Sequence, residues 1–240
     1  TKVEGAILCN GGSTTVTITA NGGTPPYSGD GIHTVSAGPY SFTVTDFNGC
    51  SVVVSGSISE PTLLTATKVE GAILCNGGST TVTITAAGGT APYTGDGIHT
   101  VSAGPYSFIV TDANNCLVVV SGNISQPTAL IASAVAGNST CGNANGSVNL
   151  TVTGGTASYS FAWSNGANTE DLINVAAGVY SVTVTDGNGC TATASATVND
   201  IGGPTAYIDA QTNVTCFGDA SGSATVTVSG GTSPYTYLWN

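Results

Sequence analysis

Positive charge is almost absent from this chain of 240 residues. Lys2 and Lys68 are its only cations, there is no arginine, and 13 acidic residues bring the formal net charge to −11. So few cations cannot neutralise a phosphate backbone, and an anionic membrane surface repels an acidic chain. The composition therefore argues against a nucleic-acid partner and against attachment to membranes through basic patches.

Charged side chains, methionine and long apolar runs are scarce as well. Charged residues make up 6% of the chain, and there is no methionine. The longest apolar runs are a few residues, whereas a membrane-spanning helix needs about 20. No signal-peptide pattern opens the sequence. We expect no membrane insertion in this segment, and we expect the segment to be a piece of a larger processed polypeptide.

What the chain has instead is one stretch in three near-copies, at residues 38–50, 104–116 and 178–190. In the first copy Tyr40, Phe42 and Val44 alternate with hydroxyl side chains. Alternation with period two is typical of a half-buried β-strand. An Asp-x-Asn turn follows, and a second apolar run comes after it. Each copy is therefore predicted to be a β-hairpin with a cysteine at its tip.

The copies belong to longer repeats. Residues 1–66 and 67–132 align without a gap and differ at 11 positions. Residues 133–204 form a longer third repeat, which carries an additional predicted strand around Trp163. Residues 205–240 begin a fourth repeat that stops before its hairpin, so we expect the natural chain to continue. Short strands in units this small predict an all-β fold of tandem immunoglobulin- or fibronectin-III-like β-sandwiches.

The seven cysteines follow the repeats. An interval of 41 residues separates Cys9 from Cys50 and Cys75 from Cys116, and 49 residues separate Cys141 from Cys190. We predict one internal disulfide in each of the first three repeats, Cys9–Cys50, Cys75–Cys116 and Cys141–Cys190, with Cys216 left unpaired by the truncation. Disulfides imply an oxidising compartment. Zinc is the competing interpretation, but the chain has no CxxC motif and no Cys/His cluster.

That pairing leaves one topological question open. It places the first turn of a repeat beside its last hairpin tip, whereas a plain seven-strand immunoglobulin order puts these two turns at opposite ends. Either the strand count is even, or the first run belongs partly to the preceding repeat. The second alternative ties neighbouring repeats together.

Candidate chemical groups are few. His33 and His99 occupy one repeat position and are interpreted as ordinary strand or loop histidines, so no catalytic residue is predicted. Asp46, Asp112 and Asp186 recur at the hairpin turn, where an Asx turn explains them. Calcium is the alternative, because carboxylate and amide oxygens are its ligands. No other cofactor is predicted.

The motifs resemble the SprB repeat of very large Bacteroidetes surface adhesins, including the gliding-motility adhesin. The resemblance rests on Cys9–Ser13, Gly22–Tyr27, Ala37–Cys50, Pro61 and their counterparts in later units. Repeats 1 and 2 depart from the pattern because they lack the Trp-Ser-Asn-Gly strand. The resemblance implies export by a type IX secretion route and a place on the cell surface. It implies no catalytic residue.

Our leading hypothesis is a non-enzymatic extracellular repeat array, the stalk or filament of a cell-surface adhesin used in attachment or gliding motility. Its partners would be neighbouring repeats of the same chain. One alternative is a glycan-binding module in which Tyr27 and Tyr93 stack on sugars. Another is a subunit of a non-covalently polymerised extracellular fibre, with identical chains as partners.

Overall fold

Strands account for all the regular secondary structure in the residues that the computed structural model describes, which are 1–231 and 233–239. There is no helix among them. The strands are β1 (Lys2–Glu4), β2 (Ser13–Ile18), β3 (Gly31–Ser36), β4 (Gly38–Thr45), β5 (Ser51–Ile58), β6 (Thr65–Glu70), β7 (Ser79–Ala87), β8 (Gly97–Ser102), β9 (Gly104–Thr111), β10 (Leu117–Ile124), β11 (Ile131–Gly137), β12 (Ser139–Thr140), β13 (Gly146–Thr153), β14 (Ser160–Trp163), β15 (Leu172–Val175), β16 (Gly178–Thr185), β17 (Thr191–Val198), β18 (Asp200–Ile201), β19 (Thr205–Thr212) and β20 (Ser223–Ser229). The predicted all-β class is confirmed.

The first repeat folds as two small sheets. Strands β1, β2 and β3 form an antiparallel sheet with β2 in the centre, and β4 pairs with β5 in a hairpin. Because β2 alternates, it turns Val16 and Ile18 inward, where they are 0% and 2% exposed. They pack with Val44 of the hairpin in one core cluster. The small two-sheet sandwich predicted from the alternation is therefore present.

The second repeat is built in the same way. Its sheets are β6-β7-β8 and the hairpin β9-β10. Its own core cluster is formed by Ile73, Val82, Ile84, Val110, Val120 and Ile124. Each of the two near-identical repeats thus has its own core, as expected for structural units arranged in tandem along the chain.

The third repeat is larger, as its extra residues predict. It has two three-stranded sheets, β11-β13-β15 and β14-β16-β17, and a short parallel bridge between β12 and β18. The predicted Trp163 strand is β14. Trp163 is 4% exposed, and its indole Nε1 donates a hydrogen bond of 2.8 Å to the Thr169 carbonyl. The insertion therefore adds a strand to the hairpin sheet and a large side chain to the core.

Strands β19 and β20 form an antiparallel pair in the last part of the chain, and their side chains are largely exposed. The recurring Gly-Gly-Thr motif of this repeat ends at Thr232, which lies outside the described residues, as does Asn240. By its contacts the chain separates into two compact units. Unit 1 contains Thr1–Ile73 and Gly78–Gln126, and unit 2 contains Leu74–Gly77 and Pro127–Asn240. The repeat boundaries drawn from the sequence stay a prediction.

The predicted internal disulfides are wrong. Cys9 bonds to Cys116 and Cys75 bonds to Cys190, whereas Cys50, Cys141 and Cys216 are free and exposed. Neither Cys9–Cys50, Cys75–Cys116 nor Cys141–Cys190 forms. Each bond joins the first turn of one repeat to the hairpin tip of the next.

Strand geometry explains the correction. Cys9 precedes the start of β2 at Ser13, while Cys50 lies beside Ile18 and the residues just after it, at the other end of β2. A six-residue strand is about 20 Å long. Disulfide-bonded cysteines have Cα atoms less than about 7 Å apart. A first turn therefore cannot reach its own hairpin tip, and the open topological question is settled in favour of bonds between neighbours.

Candidate functional site: the repeat junction

The tip of each hairpin is shaped by one aspartate. In the second repeat the Asp112 carboxylate accepts hydrogen bonds from the backbone N–H groups of Thr90, Asn114 and Cys116, each at 2.9 Å. The Asn114 bond closes an Asx turn. Asp186 makes the equivalent bonds to Thr156, Asn188 and Cys190. These carboxylates therefore hold the tip cysteine and the neighbouring Gly-Gly-Thr loop in fixed positions.

The same bonds hold the pKa of each carboxyl below its ordinary value. At Asp46 the main cause is the Thr24 N–H, followed by the Cys50 N–H. At Asp186 it is the Thr156 N–H, partly opposed by burial. At Asp112 burial raises the pKa, but the N–H groups of Thr90, Cys116 and Asn114 together outweigh it. Hydrogen bonds to a charged carboxylate favour that form.

These shifts predict a loss of stability in acid. Because the folded-state pKa is lowered, the stabilisation is complete above the unfolded value of about 3.9 and disappears as the pH falls through the folded value. We expect the thermal midpoint to be steady from pH 7 to pH 5 and to fall below about pH 4. Asp112→Asn should make that fall shallower, whereas Asp96→Asn, at an exposed loop, should not. Equal acid profiles for both variants would contradict the assignment.

The disulfide is one part of a larger junction between neighbours. Cys9 and Cys116 have Cα atoms 5.6 Å apart, and so do Cys75 and Cys190. Beside the first bond, Asn114 Nδ2 donates to the Leu8 carbonyl at 3.1 Å and to Thr90 Oγ1 at 3.0 Å. Beside the second, Asn188 Nδ2 donates to the Leu74 carbonyl at 3.0 Å. An asparagine and a cysteine on the tips of the second and third repeats thus bind the first turn of the preceding repeat.

The linker that precedes each repeat forms the other part of the junction. Gly89 N–H donates to the Thr62 carbonyl at 2.8 Å, and Gly155 N–H donates to the Thr128 carbonyl at 3.1 Å. Leu64 is 7% exposed in the first of these linkers. The linkers therefore pack against the repeat that follows and are not free tethers.

First turn and linker also contact each other at the end of a repeat. Asn10 Nδ2 donates to the Pro61 carbonyl at 3.0 Å, and Gly11 N–H donates to Glu60 Oε2 at 2.5 Å. Asn76 Nδ2 donates to the Pro127 carbonyl at 2.9 Å. One end of a repeat thus presents its first turn and its outgoing linker as a single bonded surface, and the next repeat binds both.

The other residues singled out from the sequence lie elsewhere. His33 stacks on Phe42 with ring centroids 4.1 Å apart, and its Nε2 lies 3.1 Å from the Gly29 carbonyl. Tyr93 donates its hydroxyl to the Gly88 carbonyl at 2.6 Å. Tyr27 lines a groove beside Cys50. In the described part of the chain, no three His, Cys, Asp or Glu side chains are grouped to hold a metal. The calcium alternative at Asp46, Asp112 and Asp186 stays a prediction.

One polar cluster was missed by the sequence analysis. Lys2 Nζ lies 2.8 Å from Glu4 Oε1, 3.1 Å from the Tyr40 hydroxyl and 2.9 Å from the Ser55 carbonyl, and Tyr40 donates to Glu4. Lys68 and Glu70 repeat the arrangement. A Lys-x-Glu spacing puts both side chains on one face of a strand. That spacing, present in both copies, was the available signal, and the cluster links β1 to β5.

Comparison with known proteins gives one family and a set of solved structures. The family model described as the SprB repeat matches residues 133–168 and 208–240. A Dscam structure described in terms of isoform specificity is 13% identical with a TM-score of 0.27, covering 82% of this chain and 71% of that one. The four N-terminal Ig domains of Dscam1 isoform 4.44 are 13% identical with a TM-score of 0.29, covering 76% and 62%.

Among curated proteins, no sequence matches the chain. No helix in the described residues is both long enough and apolar enough to cross a bilayer.

Proposed function

We propose, from the match of the SprB repeat model to residues 133–168 and 208–240, that the chain is an extracellular segment of a cell-surface adhesin, acting as a stalk that carries tensile load. The observation that carries the proposal is the pair of disulfides that join successive repeats, Cys9–Cys116 and Cys75–Cys190. In a stalk whose repeats are joined only by linkers, the linkers extend first under tension. Here a covalent bond runs in parallel with the linker that contains Thr62 and another with the linker that contains Thr128.

The two bonds also overlap along the chain. The first encloses residues 9 to 116 and the second encloses residues 75 to 190, with sequence separations of 107 and 115. Tension that enters at Thr1 passes from Cys9 to Cys116 without loading the Thr62–Leu64 linker. Between Cys9 and Cys190 the tension then runs only along the 41-residue interval from Cys116 back to Cys75. Most of the enclosed residues therefore contribute no length when the array is stretched, which suits a stalk that must keep its reach.

The compartment that the disulfides imply agrees with this role. Disulfides persist outside the cytosol, which supports export and exposure at the cell surface. By the family resemblance, the proposal extends to surface attachment or gliding motility after type IX secretion. Glycan binding and non-covalent polymerisation were the alternatives. In the second and third repeats the Tyr93 and Tyr159 hydroxyls donate to the glycine carbonyls of their own loops, which gives both side chains a structural role.

Single-molecule stretching tests the proposal. At about 3.5 Å per residue, the Cys9–Cys116 bond withholds roughly 37 nm of extension from the unfolded chain. The oxidised chain should therefore extend less than the reduced chain by at least that amount. Adding a reductant to a stretched molecule should release the difference in discrete steps. Equal extensions with and without reductant would rule out a load path through these bonds. Cys50→Ser is the control, because it should leave the withheld length unchanged.

A further inference from the structure

We propose that the end of the first repeat that carries Cys50 is a docking surface for another repeat of the same kind, joined to it in series. A groove takes the linker of that repeat, and Cys50 forms a disulfide with its first-turn cysteine. The proposal rests on the stalk function and names the partner of this surface. We call the groove and the hairpin tip together the socket.

The groove has a volume of about 370 Å³ and is open to solvent. Cys50 is among the residues that line it, together with polar side chains such as Asn21 and Asp46. The apolar part of the lining is formed by Ile18, Ala20, Tyr27, Val44, Val52 and Val54. Val52 is 61% exposed in this position. A groove of this volume has room for a short stretch of extended chain.

The equivalent groove of the second repeat is filled. Gly88, which corresponds to Gly22, lies so close to the linker that an added Cβ would collide with the Leu63 carbonyl. An added Cβ at Gly89 would come within 3.3 Å of the Leu64 Cβ. At Gly22 the same construction meets nothing within 4 Å. The groove of repeat 1 is thus the groove of repeat 2 without its Thr62–Leu64 linker.

The equivalent groove of the third repeat is also occupied by a linker. An added Cβ at Gly154 would collide with the Ala129 carbonyl, and one at Gly155 would come within 3.0 Å of Leu130 Cδ1. Two independent copies therefore show the same occupant, a Thr-x-Leu segment whose threonine carbonyl accepts a hydrogen bond from the second glycine of the loop. We therefore expect the partner of the first groove to be a Thr-x-Leu segment as well.

The hairpin tip beside the groove also lacks the partner that the tip of the second repeat has. Asn48 Nδ2 donates to Thr24 Oγ1 at 2.9 Å, as Asn114 does to Thr90 Oγ1. The other amide proton of Asn114 binds the Leu8 carbonyl, whereas that of Asn48 has no acceptor among the described residues. Cys50 is exposed and free next to it. A Leu-Cys-Asn-Gly turn like residues 8–11 supplies both the missing acceptor and the missing sulfur.

One repeat presents both binding elements at once. Its first turn and its outgoing linker are bonded to each other through Asn10 and the Pro61 carbonyl. A single incoming repeat with a Pro-Thr-Leu-Leu linker can therefore fill the groove and bond to Cys50 together. The formation of the disulfide oxidises two thiols, and it needs the thiol–disulfide oxidants of an oxidising compartment to accept the two electrons and two protons.

The test extends the full chain by a second copy of residues 1–66 placed ahead of Thr1. In the 240-residue chain, Cys50 should be labelled by a maleimide reagent. In the extended chain, the same cysteine should resist labelling, and non-reducing peptide mapping should find it bonded to the first-turn cysteine of the added repeat. A Cys50 that stays reactive in the extended chain, or that links two copies of the 240-residue chain and no added repeat, would overturn the proposal.

Gly22→Ala tests the groove without using the thiol. In the 240-residue chain this substitution should cost only the strain of a positive φ of 80°. In the extended chain the new methyl group should also collide with the linker and lower the thermal midpoint as much as Gly88→Ala does. An equal effect of Gly22→Ala in both chains would contradict linker docking. Peptide mapping reads bond formation alone, so docking is measurable even in an array that fails the stretching test.

Discussion

Cys116→Ser is expected to lower the free energy of unfolding by about 5 kcal/mol, the value that chain entropy gives for a loop of roughly 100 residues. The Cys9–Cys116 bond encloses 107 residues, which hold most of both first cores. Without the bond, the unfolded chain gains the freedom that the closed loop denied it. Chemical denaturation under non-reducing conditions measures the loss.

Cys50→Ser is the matched control. Cys50 is exposed and unbonded, so its removal should leave the free energy of unfolding unchanged within the error of the measurement. Pairing inside a repeat predicts a large loss for both variants, since it makes Cys50 the partner of Cys9 and Cys116 the partner of Cys75. The two variants therefore distinguish bonds between neighbours from bonds within a repeat. A large loss for Cys50→Ser, or a small loss for Cys116→Ser, would refute the junction described here.

Local patterns gave a sound basis for predicting the strands. The alternation of Val16 and Ile18 with threonines predicted their burial, and they are 0% and 2% exposed. The Trp163 strand was visible as an insertion in the third repeat, and it forms β14. Alternation determines which side chains face the core whatever the neighbouring repeats do. Such features depend on nearby residues, and a sequence displays them directly.

The disulfide partners could not be found in the same way. The interval from Cys9 to Cys50 recurs in the next repeat because the repeat itself recurs, and it carries no information on which copy a cysteine contacts. A bond from Cys9 to Cys116 fits the same periodicity, because its sequence separation of 107 is the 41-residue interval plus one repeat of 66 residues. Only the length of β2, which separates the first turn from its own tip, decides between them. That argument needs the strand order, which the sequence left open.

Leu64→Ala should be the second costly substitution, with a loss of about 3 kcal/mol, within the range for truncating a buried leucine. Leu64 is 7% exposed in the linker and lies beside Cys9 and Cys116, while the adjacent Leu63 is 61% exposed. Leu63→Ala is therefore the control and should change stability little. Equal losses of stability at the two positions would show that the linker does not pack specifically through Leu64.

The double variant Leu64→Ala, Cys116→Ser tests whether linker and disulfide act as one junction. If they hold the same contact between repeats, the linker is already loosened when the bond is removed, and the second substitution costs less than it does alone. Sites that share a contact typically show interaction energies of about 0.5–3 kcal/mol, whereas independent sites add. Additive losses would mean that the bond and the linker stabilise the two repeats separately. A shortfall would mean that the covalent and the packed connection form a single cooperative joint, which is what a stalk under tension requires.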